Sequence, residues 1–359
     1  MFADLSLIAL LTIFAGSAAV IWFAGVKLAD TTDVLSSRLH LGKALGGVVV
    51  LAIATNLPEI AITFSAALSG DLGVAVGNIL GGIAIQTVVL VAMDIAMKEP
   101  VPLTYRAASL SLVIEAVLVI AVLIVAIMAT QLPGSLIAAR LTPGTVMIAV
   151  LWISGVWLSS RAANSLPWHD ASGSAPDAQE NLKGHSKDTK EAASAARSES
   201  TLRVALVFLV AAMATLVAGV ALERSGTAIA SSIGLSGVLF GATVLAAATS
   251  LPELSTGITS VRMKDYQLAI SDIFGGNAFL PVLFLLAVVI SGKAVLPEAQ
   301  ASDIYLAGLG ILLTCVYAAG LIFRPRKQLF GMGMDSVIVL ILYVAGTAGL
   351  FAISTSHHG

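Results

Sequence analysis

Charge is scarce in this chain. Of 359 residues, 19 are Lys or Arg and 21 are Asp or Glu, 11% in all, where a soluble domain carries about a quarter. Eleven of these charges fall between Asp170 and Arg203, so the remainder is poorer still and a water-soluble enzyme is excluded. Cysteine is nearly absent. Cys315 stands alone in an apolar run, which excludes a disulfide framework and a thiolate metal centre. Neither sign of charge dominates, since the net charge is −2, and a chain without basic excess is not built for nucleic acid. No Gly-x4-Gly-Lys-Ser/Thr loop occurs and Gly331-Met-Gly333 is too short to hold a nucleotide, so direct use of ATP is not expected.

Long apolar runs take the place of charge. Apolar residues make up 58% of the chain and the mean hydropathy is +0.97, so the bilayer is the solvent. Ten runs are long enough to cross it: 4–29, 42–69, 72–96, 105–130, 141–161, 202–223, 235–263, 267–291, 302–323 and 334–355. The first lacks a basic leader and is too long for a signal-peptide core, so it reads as a retained helix. The stretch 162–201 is rich in Ser, Ala, Gly and mixed charge and reads as a flexible linker. Ten spans put both termini on one side. With the termini outside, 16 Lys and Arg lie inside and only Arg140, Arg224 and Lys293 outside. Basic residues favour the cytoplasm, so the linker is cytoplasmic and the termini external.

A sequence then occurs twice. Gly47-Val-Val-Val-Leu-Ala-Ile-Ala-Thr-Asn-Leu-Pro-Glu59 matches Gly241-Ala-Thr-Val-Leu-Ala-Ala-Ala-Thr-Ser-Leu-Pro-Glu253 at nine of thirteen positions, with an offset of 194. The same offset pairs Ala24-Gly25-Val26 with Ala218-Gly219-Val220, and Gly81-Gly82 with Gly275-Gly276. Two five-span halves follow, 1–161 and 202–359. An odd number of spans per half sends the second half in from the opposite side, which gives inverted repeats. The fold class is therefore all-α membrane, ten helices in two inverted repeats, with helices 2 and 7 broken. A channel does not need that arrangement; an alternating-access carrier does.

Pro58 and Pro252 sit in mid-span, where a proline removes a donor and kinks or breaks the helix. Broken helices at membrane depth line a cavity or lie buried in protein. The break frees carbonyls of Ala54, Thr55, Ala248 and Thr249, and Glu59 and Glu253 follow one residue after each proline. Hydroxyls of Thr55, Thr249 and Ser250 and the amide of Asn56 are adjacent. A hard cation takes about six to eight oxygens, and a carboxylate within a span is costly enough to mark function. The next spans offer Asn78 and Gln86 in one half and Asp272 and Asn277 in the other. Asp272 reads either as a cavity-lining carboxylate or as an interface group. The glycines read either as close packing or as room for polar neighbours at the site.

These paired Thr-Asn/Ser-Leu-Pro-Glu segments resemble the alpha-repeats of the sodium/calcium exchanger (cation/calcium exchanger) superfamily, over nearly the whole chain. The resemblance implies that Glu59 and Glu253 are the central cation carboxylates. Thr55, Asn56, Thr249 and Ser250 would add ligands, and the third and eighth spans would complete the site. The sequence departs from the family at Gly82, Gly276, Gln86 and Leu280, and Ser271-Asp272 replaces the usual Gly-Asn. The function implied is secondary antiport of calcium against sodium in the cell (inner) membrane. The alternatives are proton coupling and a non-transporting sensor on the same scaffold. Calcium, sodium or protons would be transported ions rather than cofactors, and lipid the only other partner expected.

Three further features carry less. Gly234-Leu-Ser236-Gly237 matches a short serine pattern of intramembrane proteases, but such an enzyme needs a membrane-depth histidine as base. His40, His169, His185, His357 and His358 all fall in loops or at the terminus, so no enzyme is expected. Glu115, near the middle of the fourth span, marks either a second ion path or a pairing within the bundle. Asp94 is expected to be solvated at the cytoplasmic end. The topology is directly testable: an accessible thiol placed within 170–200 should label from the cytoplasm, and one after Ser356 from outside. Labelling of both from one side would remove the ten-span arrangement.

Overall fold

A computed structural model describes residues 5–38, 48–164, 200–233 and 241–356. Most of the linker and the Gly234-Leu-Ser236-Gly237 segment lie outside the described residues, as do all five histidines. The described chain is almost wholly helical. The first half contains α1 (Leu7–Arg38), α2 (Val48–Thr55), α3 (Leu57–Ser69), α4 (Leu72–Met97), α5 (Leu103–Ala107), α6 (Leu110–Thr130) and α7 (Pro143–Asn164). The second contains α8 (Thr201–Ser232), a π-helical turn at Gly241–Leu245, α9 (Ala246–Thr249), α10 (Leu251–Arg262), α11 (Tyr266–Phe279), α12 (Leu283–Ser291), α13 (Ala301–Phe323) and α14 (Met334–Ser356). Eight helical stretches among the described residues are long and apolar enough to cross a membrane, and large apolar side chains such as Ile8, Phe23, Val210 and Phe323 lie exposed on the outer surface. Outward-facing bulk of this kind is what a lipid-solvated bundle requires.

The helix breaks fall where the prolines demand. Pro58 and Pro252 occupy the first turns of α3 and α10, where their missing N–H costs nothing. The break is one residue wide in each case. Asn56 (φ −86°, ψ 17°) and Ser250 (φ −81°, ψ 5°) leave helical geometry. Their N–H groups still bond back to Ala52 and Ala246, and their carbonyls accept from Ile60 and Leu254. The repeat offset of 194 carries Leu7 onto Thr201, Arg38 onto Ser232, Thr55 onto Thr249, Leu57 onto Leu251 and Leu72 onto Tyr266. Each of these is an element boundary, so the two halves share a local design as well as a motif.

Four boundaries differ from the sequence expectation. Helices α1 and α8 continue past 29 and 223 to Arg38 and Ser232; the hydroxyls of Thr31, Ser225 and Ser232 there donate back to carbonyls of their own helices instead of reaching for water. The expected span 105–130 is divided at Ala108–Ser109, where Ser109 is extended and its hydroxyl accepts the Leu112 N–H to cap α6. The span 267–291 is interrupted by a 3₁₀ turn at Leu280–Val282, a consequence of Pro281.

Helices α4 and α11 form the centre. In the apolar stretches of α4 and of α11 continued through α12, 72% and 67% of residues are buried, against 22–28% for α1, α7, α8 and α14. Ile79, Ile83, Leu90, Phe274 and Phe284 pack there with Val119, Val122, Leu313 and Tyr317 from α6 and α13. The two halves also interlock. Gly25 of α1 lies against Pro252, where a Cβ would stand 3.0 Å from its Cα, and Gly219 of α8 lies against Pro58, at 3.1 Å. Each broken helix is thus seated against a glycine of the opposite half.

Asp94 is not solvated. It is 1% exposed and accepts from Leu103 N (2.8 Å), Gly333 N (2.7 Å) and Ser336 Oγ (2.7 Å). The connections after α4 and before α14 fold back over its helix end and replace water with backbone donors. The second of these is a hairpin, β1 (Gln328–Leu329) and β2 (Met332–Gly333). Its turn residues Phe330 and Gly331 have φ of 55° and 77°, as a type I′ turn needs.

The interlock predicts a paired effect. Gly25→Ala and Gly219→Ala should each lower the stability of the solubilised protein by about 1–3 kcal/mol, the usual cost of overpacking. Gly308→Ala, with no atom within 4 Å of its Cβ position, should not. An unchanged melting temperature in either of the first two would contradict the reciprocal seating.

Candidate cation site

The sequence-predicted residues are all buried. Thr55, Asn56, Glu59, Gln86, Thr249, Glu253 and Asn277 have no exposure; Ser250, Asp272 and Asn78 are 2%, 2% and 6% exposed. Glu59 and Glu253 each lie in the first turn of the half-helix that follows a break, where the positive end of the helix dipole favours an anion. The two halves cross over here as well. Thr249 stands beside the Glu59 carboxylate and Thr55 beside that of Glu253. Each hydroxyl also lies within hydrogen-bond distance of a carbonyl of its own helix, Thr55 of Ala52 O at 3.3 Å and Thr249 of Ala246 O at 3.1 Å.

Around this centre the amides are ordered by one another. Gln86 Nε2 donates to Asn56 Oδ1 (3.2 Å) and towards Glu59 Oε1 (3.4 Å). Asn56 Nδ2 donates to Ala52 O at 2.7 Å, and Ser250 Oγ donates to Ala246 O at 2.8 Å, so the two break residues use their side chains alike. A Cβ on Gly276 would stand 2.8 Å from Asn56 Nδ2; here the glycine leaves room for a polar group at the site. Gly82 instead faces Leu280 Cδ1, 3.9 Å from its Cβ position. The site is consequently lopsided, with an amide at Gln86 and a buried alkyl group at Leu280.

Asp272 joins the centre. Thr256 Oγ1 donates to its Oδ2 at 2.6 Å, and Glu59 and Asp272 both lie close enough to Glu253 to act on it electrostatically. Asn277 bonds across the halves to Thr87 Oγ1 at 3.1 Å. Asn78 is the exception among the predicted residues: its amide nitrogen is buried without a hydrogen-bond partner. Thr256 and Thr87 were not singled out in the sequence. Thr256 had a signal, since it stands one turn after Glu253 on the same helix face; the contact of Thr87 depends on how the halves meet. Glu115 accepts from Ser271 Oγ at 2.8 Å, the pairing alternative of the two read from sequence.

The centre is rich in oxygen and poor in positive charge. Glu59 Oε2, Gln86 Oε1, both carboxylate oxygens of Glu253 and Asn277 Oδ1 are buried without a formed hydrogen bond. Among the described residues the ion pairs are Lys27–Asp30 and Arg106–Glu99, so neither Lys nor Arg neutralises Glu59 or Glu253 there. No cluster of three His, Cys, Asp or Glu residues has metal-holding geometry among the described residues. The centre offers the two Glu carboxylates and a larger number of neutral oxygens, a donor set suited to hard ions.

Known proteins share this design. The profile of the sodium/calcium exchanger protein family matches residues 9–160 and 203–351. The inner membrane protein YrbG of Escherichia coli (strain K12) is 24% identical over 308 residues, covering 85% of this chain and 86% of YrbG. Among solved structures, the sodium-calcium exchanger NCX_Mj superposes with a TM-score of 0.60 at 14% identity, covering 96% of this chain and 99% of that one. The H+/Ca2+ exchanger CAX gives 0.63 at 14% identity, with 96% and 85% covered. At such identities the two structures speak for the fold.

Proposed function

Because the chain belongs to the sodium/calcium exchanger protein family, we propose that it is a secondary antiporter of the cell membrane that carries calcium inward or outward against sodium at the Glu59–Glu253 centre. The proposed architecture is ten spans, with the broken segments at Asn56 and Ser250 as the second and seventh. The halves 1–161 and 202–359 are inverted about the site, the linker 162–201 is cytoplasmic and both termini are external. The observation that carries the reading is the pair of buried carboxylates, Glu59 and Glu253, with neither Lys nor Arg beside them among the described residues. Taking an uncompensated carboxylate through an apolar interior costs several kcal/mol. An empty site with two such groups is therefore held back from reorienting, whereas a calcium-filled or sodium-filled site is neutralised and free to do so. Coupling follows from charge: the carrier returns only after a replacement cation has entered.

The proposed ligands are the Glu59 and Glu253 carboxylates, with Asp272 supplying the acidic group that Leu280 lacks. Oxygens of Thr55, Asn56, Thr249, Ser250, Gln86 and Asn277 complete the set, and Asn78 stands at its margin. Proton coupling is the second reading. It is favoured by the apolar Leu280 and by the fold shared with CAX, because carboxylates in so dry a setting satisfy the same charge requirement by binding protons.

Glu59→Gln and Glu253→Gln test the site. Each keeps shape and removes the anion, so each should abolish calcium exchange in vesicles while the protein still inserts and elutes as the wild type. Asp272→Asn should raise the calcium concentration for half-maximal exchange roughly tenfold or more, a change of about 1.4 kcal/mol. Full exchange in both Glu variants would remove the assignment, and full affinity in Asp272→Asn would return that residue to an interface role.

A further inference from the structure

Two carboxylates outside the ion centre repeat one geometry at opposite ends of the bundle. On α4, Asn78, Gly82 and Gln86 recur one turn apart and share a face; on α11, Asp272, Gly276 and Leu280 do the same. These faces meet the centre where Gln86 reaches Glu59 and where Gly276 lies against Asn56. Beside the outer end of the α4 face stands Asp303 of α13, whose Oδ1 lies 3.4 Å from the Cβ position of Gly77. Beside the outer end of the α11 face stands Glu115 of α6, whose Oε2 accepts from Ser271 Oγ at 2.8 Å. Gly77 and Ser271 correspond at the repeat offset of 194, and each receives its carboxylate from the other half.

Both carboxylates face inward. Asp303 begins the buried stripe of α13 that runs through Leu306 to Gly310, and the Cβ position of Gly310 lies 3.2 Å from Ile83 Cγ2. Asp303 thus stands about 10 Å of helix outside the level of Ile83. Glu115 lies on the stripe of α6 that carries the buried Val119, Val122 and Ala126, opposite the exposed Val117 and Ile124, yet it is only partly buried itself. Its partner Ser271 precedes Gly276 by about 8 Å of helix. One leaflet of hydrocarbon is about 15 Å deep, so each carboxylate lies between the centre and one face of the membrane.

Neither group is fully used by the fold. Asp303 Oδ2 accepts the Gln300 N–H at 2.8 Å to cap α13, but a cap does not require the 3% exposure of Asp303. Asp303 Oδ1 and Glu115 Oε1 make no hydrogen bond among the described residues, and neither carboxylate pairs with Lys or Arg there. Next to Gly77, the amide nitrogen of Asn78 is buried without a partner. Buried polar groups are normally satisfied, so unused capacity of this kind points to a ligand. We propose that Asp303 and Glu115 are entry stations for the transported cation, one on each side of the centre, at which an incoming calcium or sodium ion exchanges part of its water for carboxylate oxygen. Hard cations take such oxygens in preference, and a negative group at the mouth of a low-dielectric route concentrates them. The inference rests on the antiporter reading and adds to it a binding step at each face. Under the proposed topology Asp303 serves the external side and Glu115 the cytoplasmic side.

Calcium exchange by the full-length protein in right-side-out and inside-out membrane vesicles tests the proposal, with the calcium concentration for half-maximal exchange read at each face. Asp303→Asn and Glu115→Gln remove the charge and keep an oxygen for Gln300 N and Ser271 Oγ, so a merely structural role would leave exchange unchanged. Asp303→Asn should raise the half-maximal concentration roughly threefold or more at one face and Glu115→Gln at the other, as expected where a single charge gathers counter-ions at a cleft mouth. The maximal rate should stay at the wild-type value. Asp303→Glu and Glu115→Asp, which retain the charge, should behave as the wild type. An equal change at both faces, a fall in maximal rate alone, or wild-type values in either amide variant would overturn the proposal and leave the antiporter reading intact. A wild type that exchanges no calcium would remove the antiporter reading and this inference with it. If one amide variant fails to insert, the other decides the matter at its own face.

Discussion

Two buried carboxyl groups with neither Lys nor Arg beside them, at the centre of an apolar bundle, are the constraint on which the rest of the molecule depends. Glu59 and Glu253 have no exposed surface, and neither Lys nor Arg pairs with them among the described residues. Such groups persist at membrane depth only when something else meets their charge. The helix breaks place both carboxylates in first turns, where the dipole assists, and in the proposed exchange the buried oxygens around them would give a cation the coordination water otherwise supplies. Stability and transport thus share a cause. The arrangement is costly empty and relieved when filled, which is the property an obligatory exchanger needs.

Reciprocity is the second theme. Each half lacks what it needs to seat its own broken helix, and the other provides it. Gly219 receives Pro58 and Gly25 receives Pro252, while Thr249 approaches Glu59 and Thr55 approaches Glu253. The symmetry is not complete. Gln86 orders Asn56 and reaches Glu59, but its counterpart Leu280 is apolar, and Pro281 interrupts the helix at that level. The second half carries Asp272, anchored by Thr256, where the first carries Asn78. Polarity missing from one position of the repeat is present two turns earlier on the same helix.

Local features of this structure were legible in the sequence, and long-range ones were not. The doubled Leu-Pro-Glu gave the position of both breaks because proline acts on its own turn. Burial of Gln86, Asp272 and Asn277 followed from polar residues within otherwise apolar spans. The sequence aligned Gly25 with Gly219 but had no means of saying that each touches the other's proline. Asp94 was misjudged for the same reason. Its place near a helix end suggested water, whereas the donors it binds come from Leu103, Gly333 and Ser336, two of them more than 200 residues away. The division at Ser109 and the 3₁₀ turn at Leu280 were hidden inside apolar runs, where hydropathy alone reports no interruption.

Uptake of labelled calcium by sealed vesicles containing the purified protein addresses the central claim most directly, with sodium loaded inside and the proton gradient collapsed by an ionophore. The account predicts calcium accumulation that scales with the outward sodium gradient and stops when internal and external sodium are equal. Accumulation that ignores sodium and returns only with an imposed proton gradient would assign the coupling to protons. Absence of calcium movement under either gradient, from protein that is inserted and folded, would contradict the exchanger itself.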